Sequence, residues 1–184
     1  MEVNETALDF RRYTCEEVDS WDTDERYELI DGELYLVATP RRVHQEISME
    51  LSRQLGNFLR GKSCKVYYAP FAVYLYDDNS TKVEPDIVVV CDKSELSDEG
   101  LRGAPDLIIE ILSPSSLRHD KITKFNLYLN AGVREYWIVD PENKTVSVNI
   151  LQNGEYAAKS YTETETVSVN VLEGCLIELK YLYE

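Results

Sequence analysis

The sequence is short of the residues that build metal centres unaided. It has two histidines, His44 and His119, and four cysteines, Cys15, Cys64, Cys91 and Cys175, with no C-x-x-C pair. Zinc modules draw on ligands paired a few residues apart, so this scatter argues against one. Two histidines exclude a multi-histidine centre. No run approaches the ~18 apolar residues of a membrane helix. The start, Met1 to Arg12, carries acids and lacks the apolar stretch of a secretory signal. The expected compartment is therefore the cytoplasm, with all four cysteines as free thiols. Cys64 and Cys91 are expected to pack as small hydrophobes beside or within strands. Positive charge is scarce too: 19 Lys and Arg face 34 Asp and Glu, a net charge of −15. A sequence-indifferent DNA coat needs a strongly cationic face, which this chain lacks.

What is present is enough for a core. Hydrophobic residues make up 43% of the 184, too many for a disordered acidic tail. The length suits one domain over 1–184, burying roughly 70% of its unfolded surface. Thr14 to Glu25 reads as an amphipathic turn or short helix. Arg26 to Val37 reads as a hairpin around Asp31-Gly32, a type I′ signal. Thr39-Pro40 reads as the start of a helix at 40–60, with His44, Ile47, Leu51, Leu55 and Phe58 as its buried stripe. Lys65 to Tyr76 is rich in Val, Tyr and Phe and reads as one strand, Pro70 marking an edge or bulge.

Ile87 to Cys91 and Leu107 to Leu112 are nearly continuous apolar runs, as in strands covered on both faces. Ser113-Pro114-Ser115 reads as the cap of a second helix with Ile122, Phe125 and Leu129 on one face and Gly132 as its stop. Glu135 to Val139 is a further strand. Thr145 to Leu151, Tyr156 to Tyr161 and Thr166 to Val171 alternate like an antiparallel meander extending the sheet over 145–180. The expected fold class is α/β (α+β), a mixed sheet with helices on its faces.

Acids interrupt two of the apolar strands. Asp86 opens Ile87-Val88-Val89-Val90, and Glu110 sits inside Leu107-Ile108-Ile109-Glu110-Ile111-Leu112. A buried carboxylate costs several kcal/mol unless a cation, lysine or metal ion meets it. Asp106 lies four residues from Glu110, roughly 13 Å along the strand, too far to share an ion. Asp86 can lie beside Glu110 if their strands are neighbours. Two carboxylates with water completing an octahedron suit Mg²⁺ or Mn²⁺.

These residues resemble the PD-(D/E)xK nuclease core, whose order is αβββαβ. The helix at 40–60, strands at 65–76, 86–91 and 106–112, helix at 116–131 and strand at 134–139 follow that order. Tyr27-Glu28-Leu29-Ile30-Asp31-Gly32-Glu33, Pro40 with His44, Val83-Glu84-Pro85-Asp86, Glu110-Ile111-Leu112-Ser113-Pro114-Ser115, Asp120 with Lys124 and Tyr128, and Gly132 to Pro141 resemble the Uma-two family of restriction-endonuclease-like proteins. The likeness covers roughly residues 14 to 180, with the core at about 26–140. It implies a restriction-endonuclease-like fold, an N-terminal hairpin and a β-rich C-terminal extension. It also implies a metal-dependent nuclease site that hydrolyses DNA phosphodiester bonds, with Asp86 and Glu110 holding Mg²⁺ or Mn²⁺. DNA binding is expected to be weak and salt-sensitive. A homodimer follows by analogy, because a duplex has two strands to cut.

One position departs from the motif: Leu112 stands where the nuclease lysine is expected. Lys124, on the following helix, is the best substitute as third catalytic residue, and Lys121 the second choice. His44, Glu28 and Asp120 are accessory candidates. Each has a plainer reading. His44 lies on a buried stripe and suits a core histidine. Glu28 suits an exposed strand residue. Lys124 suits a solvated helix face. Tyr67, Tyr68, Tyr74 and Tyr76 read as core, or as a dimer or base-stacking surface if one face is open. The alternative function is a catalytically weak module that keeps the nuclease fold for protein or nucleic-acid interaction.

Overall fold

The computed structural model describes residues 11–113 and 119–183, the side chains of 119–121 excepted. It begins with a short helix α1 (Cys15–Asp19), capped by the Thr14 side chain accepting from the Glu17 N–H. The hairpin β1 (Tyr27–Ile30) and β2 (Glu33–Leu36) follows. Asp31 and Gly32 take φ of 50° and 79°, the doubly left-handed turn expected of a D-G hairpin. Helix α2 (Arg42–Leu59) starts two residues later than Thr39-Pro40 suggests. Arg41 occupies the cap position and its side chain makes no capping bond.

The stretch from 65 to 76 is two strands rather than one. β3 (Lys65–Tyr68) ends before Pro70, which has no N–H to continue a ladder, and β4 (Val73–Tyr74) belongs to another sheet. After β5 (Lys82–Val83) come β6 (Ile87–Val90), the short β7 (Leu101–Arg102) and β8 (Leu107–Ile111). A π-helical segment, His119–Lys124, leads into α3 (Phe125–Ala131), which stops at Gly132 in the left-handed region. β9 (Glu135–Asp140), β10 (Thr145–Gln152), β11 (Glu155–Thr162), β12 (Thr166–Ser168), β13 (Leu176–Glu178) and a 3₁₀ turn (Leu179–Tyr183) complete the described chain.

The main sheet has the order β11-β10-β9-β8-β6-β3 and is mixed: β8 and β9 run parallel and the other neighbours antiparallel. A second sheet, β2-β1-β5-β4-β7, joins the hairpin to the insertions between core strands. The meander is shorter than its alternation suggests. β10 and β11 extend the main sheet, whereas β12 pairs with β13 in a ladder of its own.

Strand alternation explains the apolar runs. Ile87, Val89, Leu107, Ile109, Trp137 and Val139 pack on Ile47, Leu51, Leu55 and Leu59 of α2. On the other face Val88, Val90, Ile108, Tyr136 and Ile138 meet Leu127 and Tyr128 of α3 and the second sheet. Each fully buried Leu or Ile stabilises by about 1.5–3 kcal/mol, so both faces of β6 and β8 must be apolar except where a partner meets an acid.

Two expectations change here. Cys64 and Cys91 form a disulfide, while Cys15 and Cys175 are free and buried. The β3–β6 ladder pairs Lys65 with Val90, so the cysteines are the next opposed residues. The buried face is Lys124, at the end of the π-helical segment, with Leu127 and Tyr128 of α3, and Ile122 is 57% exposed. The π-helical winding ahead of α3 takes wider turns than an α-helix, which rotates the stripe away from Ile122.

Candidate active site

The register of β6 and β8 pairs Ile87 with Ile109. One step along the antiparallel ladder, Asp86 at the mouth of β6 stands opposite Glu110 near the end of β8. Asp86 Oδ2 accepts from the Ile111 N–H at 2.7 Å and from His44 Nε2 at 3.1 Å. The carboxylate offers only acceptors, so Nε2 is the donor. His44 Nδ1 is buried with no hydrogen-bond partner among the described residues. His44 is thus only partly the core histidine its stripe suggests: α2 begins at Arg42 and its first turn sets the ring against the carboxylate.

Glu110 is buried, and its Oε1 accepts from Lys124 Nζ at 2.9 Å and from the Tyr128 hydroxyl at 2.7 Å. Lys124 Nζ also donates to Glu28 Oε1 at 2.9 Å, and that oxygen accepts from the Glu84 N–H at 2.9 Å. Glu28 is therefore a buried member of this group, not an exposed strand residue, because the second sheet carries β1 over the cleft. Lys124 is likewise buried instead of solvated. Burial, then the nearby Glu110 and Glu28 carboxylates, raise the Tyr128 hydroxyl well above its ordinary pKa. It stays protonated and donates. Arg26 closes the group by an ion pair to Glu84 at 2.5 Å.

Leu112 is buried in the apolar cluster of the α3 face. The strand thus carries no lysine, and the ammonium reaches Glu110 from the helix. Asp106 lies elsewhere, accepting from the Cys91 N–H and pairing with Arg134. The side chains of Asp120 and Lys121 lie outside the described residues, as do residues 114–118, which include most of the cap expected at Ser113-Pro114-Ser115. Tyr128 was legible only as a spacing from Lys124. Its role as a donor to Glu110, and the part played by Arg26 and Glu84, carried no signal in the sequence.

Arg26, Glu28, His44, Glu84, Asp86, Glu110 and Lys124 line a cleft of about 580 Å³ whose wall also includes Tyr35, Leu36, Arg41 and Tyr68. Among the described residues, no cluster of three or more His, Cys, Asp or Glu is arranged to hold a metal ion. The oxygens present still fit one kind of ion. Magnesium-like ions take one or two carboxylates, keep several waters and add substrate phosphate. Asp86 and Glu110 offer two carboxylates from facing positions. Glu28 and Glu110 hold the Lys124 ammonium, and Asp86 meets His44. A donor set of carboxylate oxygens suits a hard divalent cation and not a thiol-seeking one.

A mixed sheet clothed by a helix on each face, with two strand-borne acids and a lysine from the next helix, has a nuclease-like fold. The chain belongs to the Uma2 family, described as "Putative restriction endonuclease", whose model matches residues 15–180. Two uncharacterized proteins of Synechocystis sp. are similar in sequence. One is 28% identical over 142 residues, 76% of this chain and 74% of its own length. The other is 26% identical over 119 residues, 63% of this chain and 67% of its own. A crystal structure described as a "putative nuclease belonging to DUF820", from Anabaena variabilis, matches with a TM-score of 0.76 at 20% identity, covering 93% of this chain and 97% of that one. That likeness establishes the fold, α+β with mixed sheets. No helix among the described residues is long and apolar enough to cross a membrane.

Proposed function

We propose that the chain is a metal-dependent endonuclease that hydrolyses DNA phosphodiester bonds at the Asp86–Glu110–Lys124 cleft. The observation that carries this reading is the Lys124 ammonium on Glu110, with Asp86 across the ladder. Mg²⁺ or Mn²⁺ held by Asp86 and Glu110 would supply charge neutralisation at the phosphate and a more acidic attacking water.

The chain's own residues do the rest. Lys124 offers donors to the attacking water or to the phosphate oxygen that gains charge, a contribution that preorganised donors make large in a dry site. Glu28 holds the ammonium from the far side, so Lys124 does not swing away. The Tyr128 hydroxyl fixes Glu110, and His44 with the Ile111 N–H fixes Asp86. Burial of the Lys124 and Glu110 side chains keeps bulk water away from their contact.

A second reading has one observation in its favour. Leu112 leaves the strand without its lysine, and a catalytically weak nuclease-fold module would tolerate that. One pair of measurements decides. Wild-type protein with Mn²⁺ is expected to cut DNA and to melt at a higher temperature than with chelator, because an ion that binds only the folded state stabilises it. Asp86→Ala and Glu110→Ala are expected to lose both effects. Full cleavage by either variant removes the assignment. A Mn²⁺ shift without cleavage favours the module.

A further inference from the structure

The catalytic group lies deep. The Glu110 and Lys124 side chains are only 4% and 6% exposed, at the base of the cleft. A stacked duplex presents its phosphates on a convex surface and must distort to bring one to the bottom of such a cleft. An unpaired strand rotates freely about its backbone and reaches it more easily. Charge gives limited grip here. Of the cations lining the cleft, Arg26 is already paired with Glu84 and Lys124 with Glu28 and Glu110, Arg41 stands on the wall, and the chain as a whole carries −15.

The wall offers something else. Tyr68, the last residue of β3, is 65% exposed, and Leu36, the last of β2, is 63% exposed; both line this cleft. The neighbouring aromatics do not share that exposure: Tyr67 stacks on Phe71 at 4.3 Å and Tyr74 is buried. An exposed aromatic beside a strand-binding groove stacks on any base, since every base has a π-face.

We propose that the cleft takes an unpaired DNA strand with one base seated on the Tyr68 ring, and that Tyr68 sets a preference for single-stranded over duplex DNA. The proposal rests on the nuclease reading above and names its substrate. Stacking adds a grip on the base that does not depend on phosphate neutralisation. Tyr68 touches the substrate away from the reacting phosphate, so it acts on binding more than on turnover.

The test is Mn²⁺-dependent cleavage of one labelled oligonucleotide, offered single-stranded and as a duplex, by wild-type protein, Tyr68→Ala, Tyr68→Phe and Asp86→Ala. The single strand is expected to be cut about tenfold faster than the duplex. Y68A is expected to raise KM for the single strand about tenfold with kcat held, the scale of losing one base stack. Y68F keeps the ring and is expected to match wild type. Equal cleavage of both forms overturns the proposal and leaves the nuclease reading standing, as does a Y68A protein indistinguishable from wild type. No cleavage of either form by wild type, with D86A no different, removes both together. Melting temperatures of the Tyr68 variants confirm that they are folded.

Discussion

Lys124 Nζ lies 2.9 Å from both Glu28 Oε1 and Glu110 Oε1, bridging a hairpin strand and a central strand. The three residues are buried, so the ammonium is what allows two carboxylates to share a water-poor space. Lys124→Met keeps the length and apolar stem but leaves the two acids facing one another. Removing one partner from such a group costs about 3–5 kcal/mol, and unfolding in urea should show a loss of that order. Cleavage should fall by about 10²–10³, the usual effect of deleting one preorganised donor. Adding Glu28→Gln to Lys124→Met removes the excess charge. The double variant should regain much of the stability and none of the activity. Recovery of activity along with stability would make Lys124 a purely structural residue.

How far the amino-acid sequence encodes this group depends on where each signal resides. Asp86 and Glu110 stand out because a carboxylate in an apolar strand is conspicuous in one dimension. Their facing placement depends on the β6–β8 register, which no local pattern encodes. Glu28 read as exposed because the sheet that buries it is partly made from strands of two residues, β4, β5 and β7, too short to show alternation. Lys124 stands four residues before the buried Tyr128 and shares its face, yet a lysine on a helix face reads as solvated unless the acids that meet it, Glu28 and Glu110, are known to lie there. The core order of helix, three strands, helix and strand was legible because its apolar runs are long. The insertions between those strands were not.

The Cys64–Cys91 disulfide makes a second expectation concrete. The two are 27 residues apart in sequence and become opposed only when β3 and β6 pair. Protein unfolded without reductant should therefore show two reactive thiols, Cys15 and Cys175, and four after reduction. In the folded protein both should react slowly with alkylating reagents. Burial pushes the Cys175 thiol up to about 11 and raises Cys15 as well, and the thiolate is the reactive form. Four thiols in the unreduced, unfolded chain would show that the pair is open.

Glu135 gives a pH signature that is separate from the cleft. It is fully buried at the start of β9, where Oε1 accepts from Trp137 Nε1 at 2.7 Å and Oε2 from the Val171 N–H at 2.9 Å. Burial raises its carboxyl above the ordinary 4.5, against the lowering effect of Trp137 and the backbone donors of Val171 and Asn170. The folded chain therefore holds this proton to a higher pH than the unfolded chain does. Its contribution to stability is complete below about 4.5 and declines as pH rises through the raised value. Glu135→Gln keeps the volume and one acceptor but cannot ionise. Urea midpoints of wild type and variant, compared stepwise from about pH 4 to about pH 8, should show the wild type losing ground to the variant as pH rises. The difference should level off once the carboxyl has ionised. A difference that stays flat, or one that moves in the wild type's favour with rising pH, would mean that the folded state does not hold the Glu135 proton.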